Sequence, residues 1–179
     1  MAHEETIFEL MEGLVIADKH IIGDLMAHKN IWTAGTSSIN NSYKALNNLV
    51  DAGKLEKGDS SYFRLKGCKS NYCEHAQLLT KALADILKFN YTTKIFREHT
   101  IAEKGLRPDS LILLTRVNEG ICFVLEVCNN ETPEYLQQKI NTWNAWDGAT
   151  EYLSQLFGVK IPHFDIVKSD DLKTYMEAL

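Results

Sequence analysis

The stretch Ile121-Cys122-Phe123-Val124-Leu125-Glu126-Val127-Cys128 constrains the fold most tightly, because it is an apolar strand with one acid inside it. Period-two alternation sets Cys122, Val124, Glu126 and Cys128 on one face and Phe123, Leu125 and Val127 on the other. A lone carboxylate in such a strand is costly unless something satisfies it. A second apolar run, Leu111-Ile112-Leu113-Leu114, is opened by Arg107-Pro108-Asp109. If the two strands are neighbours, Asp109 and Glu126 come together, and two carboxylates can hold Mg²⁺ with water completing the octahedron.

Around these strands the pattern is α/β. Glu74 to Leu87 is a helix with Leu78, Leu79, Ala82, Leu83, Ile86 and Leu87 inward, followed by strands at Thr92–Arg97, Asp109–Thr115 and Ile121–Cys128, the last two joined by an Asn118-Glu119-Gly120 turn. One long helix is expected from about Pro133 to Trp146 or beyond, with Pro133 in its first turn. A strand at His163–Val167 and a helix from an Asp170 cap to Leu179 close the chain. The polar stretch Gly67-Cys68-Lys69-Ser70-Asn71-Tyr72 marks the expected boundary between a domain at 1–70 and another at 71–179. Trp143 and Trp146 read as core or interface before they read as a base-stacking platform.

The first 70 residues carry a different pattern. Glu5 to Ala17 shows Ile7, Phe8, Leu10, Met11, Leu14 and Val15 at helical spacing, and Ile21, Ile22, Leu25 and Met26 make a shorter helix ending near Lys29-Asn30. After a turn at Thr33-Ala34-Gly35, Thr36, Ser37 or Ser38 can cap a third helix whose Ile39, Tyr43, Leu46, Leu49 and Val50 share a face. Gly53 is placed to end it in a left-handed cap. Lys54–Lys57 and Tyr62–Lys66 then form a hairpin about Gly58-Asp59-Ser60-Ser61. Three helices and a hairpin are the order of a winged helix-turn-helix.

The outward face of the third helix is expected to carry Ser37, Ser38, Asn40, Asn41, Lys44 and Asn48. Asn can pair with adenine and Ser can reach bases or phosphates, while Lys44, with Lys57 and Arg64 of the wing, can neutralise backbone charge. Double-stranded DNA is the expected partner. The competing reading is a solvated polar face on a module used for dimerisation or protein contact. The net charge of −5 argues against indiscriminate coating of DNA. It conceals a local +3 at 20–70, seven basic residues against four acidic, flanked by −4 at 1–19 and −4 at 71–179.

No apolar run approaches the ~20 residues of a membrane span, and Met1-Ala2-His3-Glu4-Glu5 is unlike a signal peptide, so a soluble cytoplasmic protein is expected. Cys68, Cys73, Cys122 and Cys128 lack the Cys-x-x-Cys knuckle of a zinc site, and reduced thiols are expected.

The order of elements, with Pro-Asp at one strand and Glu in the next, resembles the PD-(D/E)XK nuclease superfamily. The whole chain is similar to the replication-relaxation family of plasmid and other mobile-element proteins, which join a winged helix-turn-helix to such a restriction-endonuclease-like domain. His75, Glu98, Arg107-Pro108-Asp109, Glu126 and Lys139 carry the resemblance. It implies catalytic roles for Asp109, Glu126 and Lys139, with Asp109 and Glu126 as Mg²⁺ ligands. The pattern departs at one place: where Glu-x-Lys is usual, this chain has Cys128, and Lys139 would have to supply the amine from the following helix.

Two functions follow as expectations. One is a DNA-binding accessory or regulatory protein of a plasmid or other mobile element, acting in replication, mobilisation or transcription control, with a degenerate nuclease-like domain and a homodimeric state. The other is a Mg²⁺-dependent DNA endonuclease. A protein-interaction module without a nucleic-acid role is the third and weakest reading. For Glu126 the bland alternative is a buried ion pair with Lys139 or Arg107, for Asp109 a strand anchor, and for His75 a packing role.

Overall fold

A computed structural model describes residues 2–58, 61–68, 73–89, 91–116, 119–129 and 131–179. The chain is a mixed α/β protein that divides into two compact units, Met1–Phe89 and Asn90–Leu179. The division therefore falls after the helix at Glu74–Leu87, whereas the polar stretch at 67–72 suggested 70/71; residues 69–72 lie outside the described residues. The apolar stripe of that helix says that one face is buried, but not which unit buries it.

The first unit holds helices α1 (Ala2–Gly13), α2 (Lys19–His28) and α3 (Thr36–Asp51), strands β1 (Leu55–Lys57) and β2 (Phe63–Leu65), and helix α4 (Glu74–Leu87). Helix α1 stops short of the expected Ala17. Leu14, Val15, Ile16 and Ala17 are all buried, and four consecutive apolar residues cannot share one helical face. They leave the helix through a bend instead: Ala17 exchanges backbone hydrogen bonds with Phe63 of β2 at 2.9 and 2.8 Å, and the Ile16 amide donates to Thr80 Oγ1 at 3.2 Å. Strands β1 and β2 pair antiparallel, Leu55 opposite Leu65; Asp59 and Ser60 of the expected turn lie outside the described residues.

Helix α3 begins after Gly35, at φ +111°, and not behind a side-chain cap. The buried positions of α3 are Ser38, Ser42, Ala45, Leu46 and Leu49, so the inward face is rotated from the predicted one and Tyr43 is exposed. Gly23 of α2 explains the rotation. A Cβ there would lie 3.2 Å from Ser42 Oγ and 3.3 Å from both Ser38 Oγ and the Ile39 nitrogen, so small residues meet where the two helices cross. The predicted C-cap is present: Gly53, at φ +69°, donates to the Val50 carbonyl and Lys54 to that of Leu49, at 2.8 and 2.9 Å, which satisfies the last carbonyls of the helix.

The second unit is a four-stranded sheet in the order β3-β4-β5-β6, made of β3 (Thr92–Arg97), β4 (Ser110–Arg116), β5 (Glu119–Glu126) and β6 (Asp165–Lys168). The first three are antiparallel neighbours and β6 runs parallel to β5. Between β5 and β6 come α5 (Pro133–Asn144) and α6 (Ala149–Phe157), where one long helix was expected; α7 (Leu172–Ala178) ends the chain. The break lies at Trp146-Asp147-Gly148, where a Cβ on Gly148 would come within 3.0 Å of the Trp146 indole nitrogen. Leu111, Leu113, Cys122 and Val124 on one sheet face pack with Trp143, Leu153, Phe157 and Ile161. On the other face, Phe123 meets the Tyr175 ring of α7 at 5.3 Å. Among the described residues, no helix is long and apolar enough to cross a membrane.

Candidate functional site

Glu126 ends β5 with no exposed surface. The antiparallel register that pairs Ser110 with Leu125 sets Asp109 beside it one step further on. The β5 end is pinned on both sides: Asp109 Oδ2 accepts the Val127 amide at 2.7 Å, and the Ser169 amide donates to the Glu126 carbonyl at 2.9 Å. Asp109 is itself only 9% exposed, and its carbonyl accepts the Glu98 amide at 2.8 Å. Helix α5 is fixed at its start by Thr132, whose Oγ1 accepts the Tyr135 amide at 3.3 Å, and by Pro133 in its first turn.

Leu136, Lys139, Ile140 and Trp143 then occupy one stripe of α5, with Leu136 and Trp143 buried. A lysine in this stripe needs an anion. The Lys139 side chain is 11% exposed, and its ammonium donates to Glu126 Oε2. Burial pushes the Glu126 carboxyl up to about 7, with Asp109 and Glu131 adding to the rise and the Lys139 hydrogen bond and charge opposing it. Burial alone would lower the Lys139 ammonium. The Glu126 hydrogen bond and charge, joined by Asp109 and Glu131, outweigh that and raise it.

The structure thus gathers Asp109, Glu126 and Lys139, and it adds Glu131, a residue sequence reasoning passed over. Glu131 precedes the α5 cap, and its Oε2 is buried without a hydrogen-bond partner, as is Glu126 Oε1. If a divalent cation bound here, Glu126 and Asp109 would be the residues to hold it. Among the described residues, no three His, Cys, Asp or Glu side chains are grouped to hold a metal ion. Of the other residues behind the resemblance, Glu98 is exposed and lies 3.8 Å from the Arg107 guanidinium, so Arg107 turns to Glu98. His75 lies on α4, in the first unit. Trp143 is buried in the sheet core, and Trp146 lies beside it, ring centres 5.7 Å apart.

On the first unit, Ser37, Asn40, Asn41 and Lys44 are exposed along α3. Ser38, expected beside them, is buried at 1% exposure and donates to the Gly35 carbonyl at 2.9 Å, because the helix is rotated toward Gly23. Asn48 donates to Glu4 Oε1 at 2.7 Å. Lys57 of β1 is exposed and reaches back to α3: its Nζ donates to Tyr43 Oη at 3.3 Å and stands 5.3 Å from that ring. This hydrogen bond and charge hold the Tyr43 hydroxyl below its ordinary range. Arg64 of β2 is half-buried and paired with Glu56 at 3.3 Å. Compared with protein-family models, with curated proteins and with solved structures, the chain gives no match.

Proposed function

We propose that the chain is a DNA-binding accessory or regulatory protein of a plasmid or other mobile element, with the first unit a winged helix-turn-helix and the second a PD-(D/E)XK nuclease-like module. One observation carries this reading: Ser37, Asn40, Asn41 and Lys44 form an exposed polar face on α3, and Lys57 of the hairpin is tied to the same helix through Tyr43. Asn40 and Asn41 have the paired donor and acceptor that an adenine edge requires. Lys44 and Lys57 supply phosphate contacts, which fix position without reading sequence. The local +3 of residues 20–70 favours approach to DNA through this face, while the acidic remainder limits unspecific binding. Footprinting on duplex DNA flanking the chain's own coding sequence tests the proposal. Protection of a discrete site at physiological salt is expected; affinity no greater than for random duplex would overturn it.

A second reading, a Mg²⁺-dependent DNA endonuclease, is favoured by the unpartnered Glu126 Oε1 beside Asp109 and Lys139. A divalent cation bound there would act as a Lewis acid in phosphodiester hydrolysis. For their part, Asp109 and Glu126 would bind and orient it from adjoining strand ends, and Lys139 would hold its proton and offer positive charge to a phosphate. Incubating supercoiled plasmid with the protein and Mg²⁺ or Mn²⁺ is the test. Nicking that is lost in Asp109→Ala and Glu126→Ala supports this reading, and nicking that survives both removes it.

A further inference from the structure

The two tryptophans of α5 and its end have different surroundings. Trp143 is buried in the sheet core, whereas Trp146 is half-buried and lines an open cavity of about 680 Å³ with Lys104, Gln138, Asn141, Thr142 and Asp147. The Trp146 indole is held in place on several sides. Its ring centre lies 5.7 Å from that of Trp143 and 5.2 Å from that of Tyr152, and a Cβ on Gly148 would stand 3.0 Å from its nitrogen. Gly148 has φ −90°, which any residue adopts, so what this glycine supplies is room for the indole.

The rest of the lining is polar. Gln138, Asn141 and Thr142 follow at i, i+3 and i+4 and so share one face of α5. Gln137 donates to Asn141 Oδ1 at 3.0 Å, and Thr142 donates to the Gln138 carbonyl at 2.9 Å, so the Asn141 NH₂ group and the Gln138 carboxamide keep donors and acceptors to offer. Lys104 Nζ stands 5.4 Å from the Trp146 ring centre, and among the described residues no carboxylate lies within ion-pair distance of it.

We propose that this cavity binds one nucleotide unit, with the base stacked on Trp146, its edge met by Gln138 and Asn141, and its phosphate on Lys104. An aromatic wall accepts the π-face of any base. Carboxamides carry the adjoining donor and acceptor that base edges present. The ammonium beside the ring is placed for a phosphate joined to a stacked nucleoside, and it can leave the indole for that phosphate because an exposed cation–π contact is weak. A neutral sugar also lies well on an indole, but it gives this ammonium nothing to pair with. One cation serves one phosphate, so the lining fits a single nucleotide, either free or part of a single strand whose bases are unstacked. The inference does not depend on α3 reading duplex DNA, because every residue of the cavity belongs to the second unit.

The test follows the indole ¹H–¹⁵N resonances of the full chain, with that of Trp146 assigned from Trp146→Phe. The titrants are AMP, adenosine, ribose and a short single-stranded oligodeoxyadenylate. AMP and the oligonucleotide are expected to move the Trp146 resonance. Lys104→Met should weaken AMP binding about 10-fold, toward the level of adenosine. Gly148→Ala, which displaces the indole and leaves the polar lining intact, should weaken AMP and adenosine alike; Gln138→Ala, exposed on α5, serves if that variant does not fold. Tighter binding of the oligonucleotide than of AMP identifies a single strand as the source, and equal or weaker binding identifies a free nucleotide; both support the site. A Trp146 resonance that no titrant moves, or that ribose moves as far as AMP does, overturns it. So does a response that is lost in Lys44→Ala, on the other unit, and kept in Lys104→Met.

Discussion

Replacing Lys139 with Met removes the one cation among the described residues that faces Glu126 and keeps an apolar side chain on the stripe of Leu136 and Trp143. The consequence depends on pH in a direction the structure sets. Burial lifts the Glu126 carboxyl from 4.5 to about 7. Below about pH 4.5 the folded and unfolded chains both hold its proton, so Glu126 adds no pH dependence. Between 4.5 and about 7 the unfolded chain releases the proton while the folded chain retains it, and stability falls by about 1.4 kcal/mol per pH unit. Above about 7 the wild-type carboxyl ionises in the folded state as well, held by the Lys139 ammonium, and the fall levels off. In Lys139→Met the downward pull of that ammonium is gone while burial, Asp109 and Glu131 remain, so the carboxyl stays protonated to higher pH and the fall continues.

The deficit of the variant should therefore grow above pH 7 by up to about 1.4 kcal/mol per unit, approaching about 3 kcal/mol more at pH 9 than at pH 6. Lys139 keeps its proton throughout this range, since its pKa is raised from 10.5. Urea unfolding of both proteins at half-unit steps from pH 5 to pH 9, followed by far-ultraviolet circular dichroism and by tryptophan fluorescence, measures the difference. A gap between the two proteins that stays constant with pH would refute the reasoning, because it would mean that Lys139 does not sustain the charge on Glu126.

Four further outcomes follow from the first unit. Lys44→Ala should weaken binding evenly across DNA sequences and lower the salt slope by about 1, whereas Asn41→Ala should cost about 1–3 kcal/mol and relax the preference at one base pair; binding titrations at several salt concentrations separate the two. Ser38→Ala should leave DNA affinity unchanged and cost about 1 kcal/mol in stability, because its hydroxyl serves the Gly35 carbonyl inside the fold. Gly23→Val should cost about 1–3 kcal/mol by thermal unfolding, since a Cβ already comes within 3.2 Å of Ser42 Oγ.

The local elements with strong punctuation were legible from the residues alone. Helix α4 at Glu74–Leu87 and strand β3 at Thr92–Arg97 have the predicted bounds, and Gly53 takes the left-handed conformation that its place after Val50 demanded. Asp109 and Glu126 could be paired in advance because β4 and β5 are joined by a short connection, so their register is a local matter. Lys139 entered through resemblance alone, although its spacing from Leu136 and Trp143 already places it on the inward stripe of α5. Glu131 had no local signal, because an acid ahead of a helix cap looks like ordinary solvated charge. The face of α3 was misread for the same kind of reason. Tyr43 carries far more apolar surface than Ser38 or Ser42, but the close approach allowed by Gly23 buries the serines. The division at 89/90 depends on which unit covers α4, and a stripe of leucines and alanines does not carry that information.

The most direct test of selective DNA binding is enrichment from a randomised duplex library by the full chain at physiological salt, followed by sequencing. A discrete motif is expected, containing at least one A·T pair whose enrichment disappears in Asn41→Ala and whose retention falls for all sequences in Lys44→Ala. Recovery of an unbiased library, or a motif indifferent to both substitutions, would contradict the assignment of α3 as the reading element.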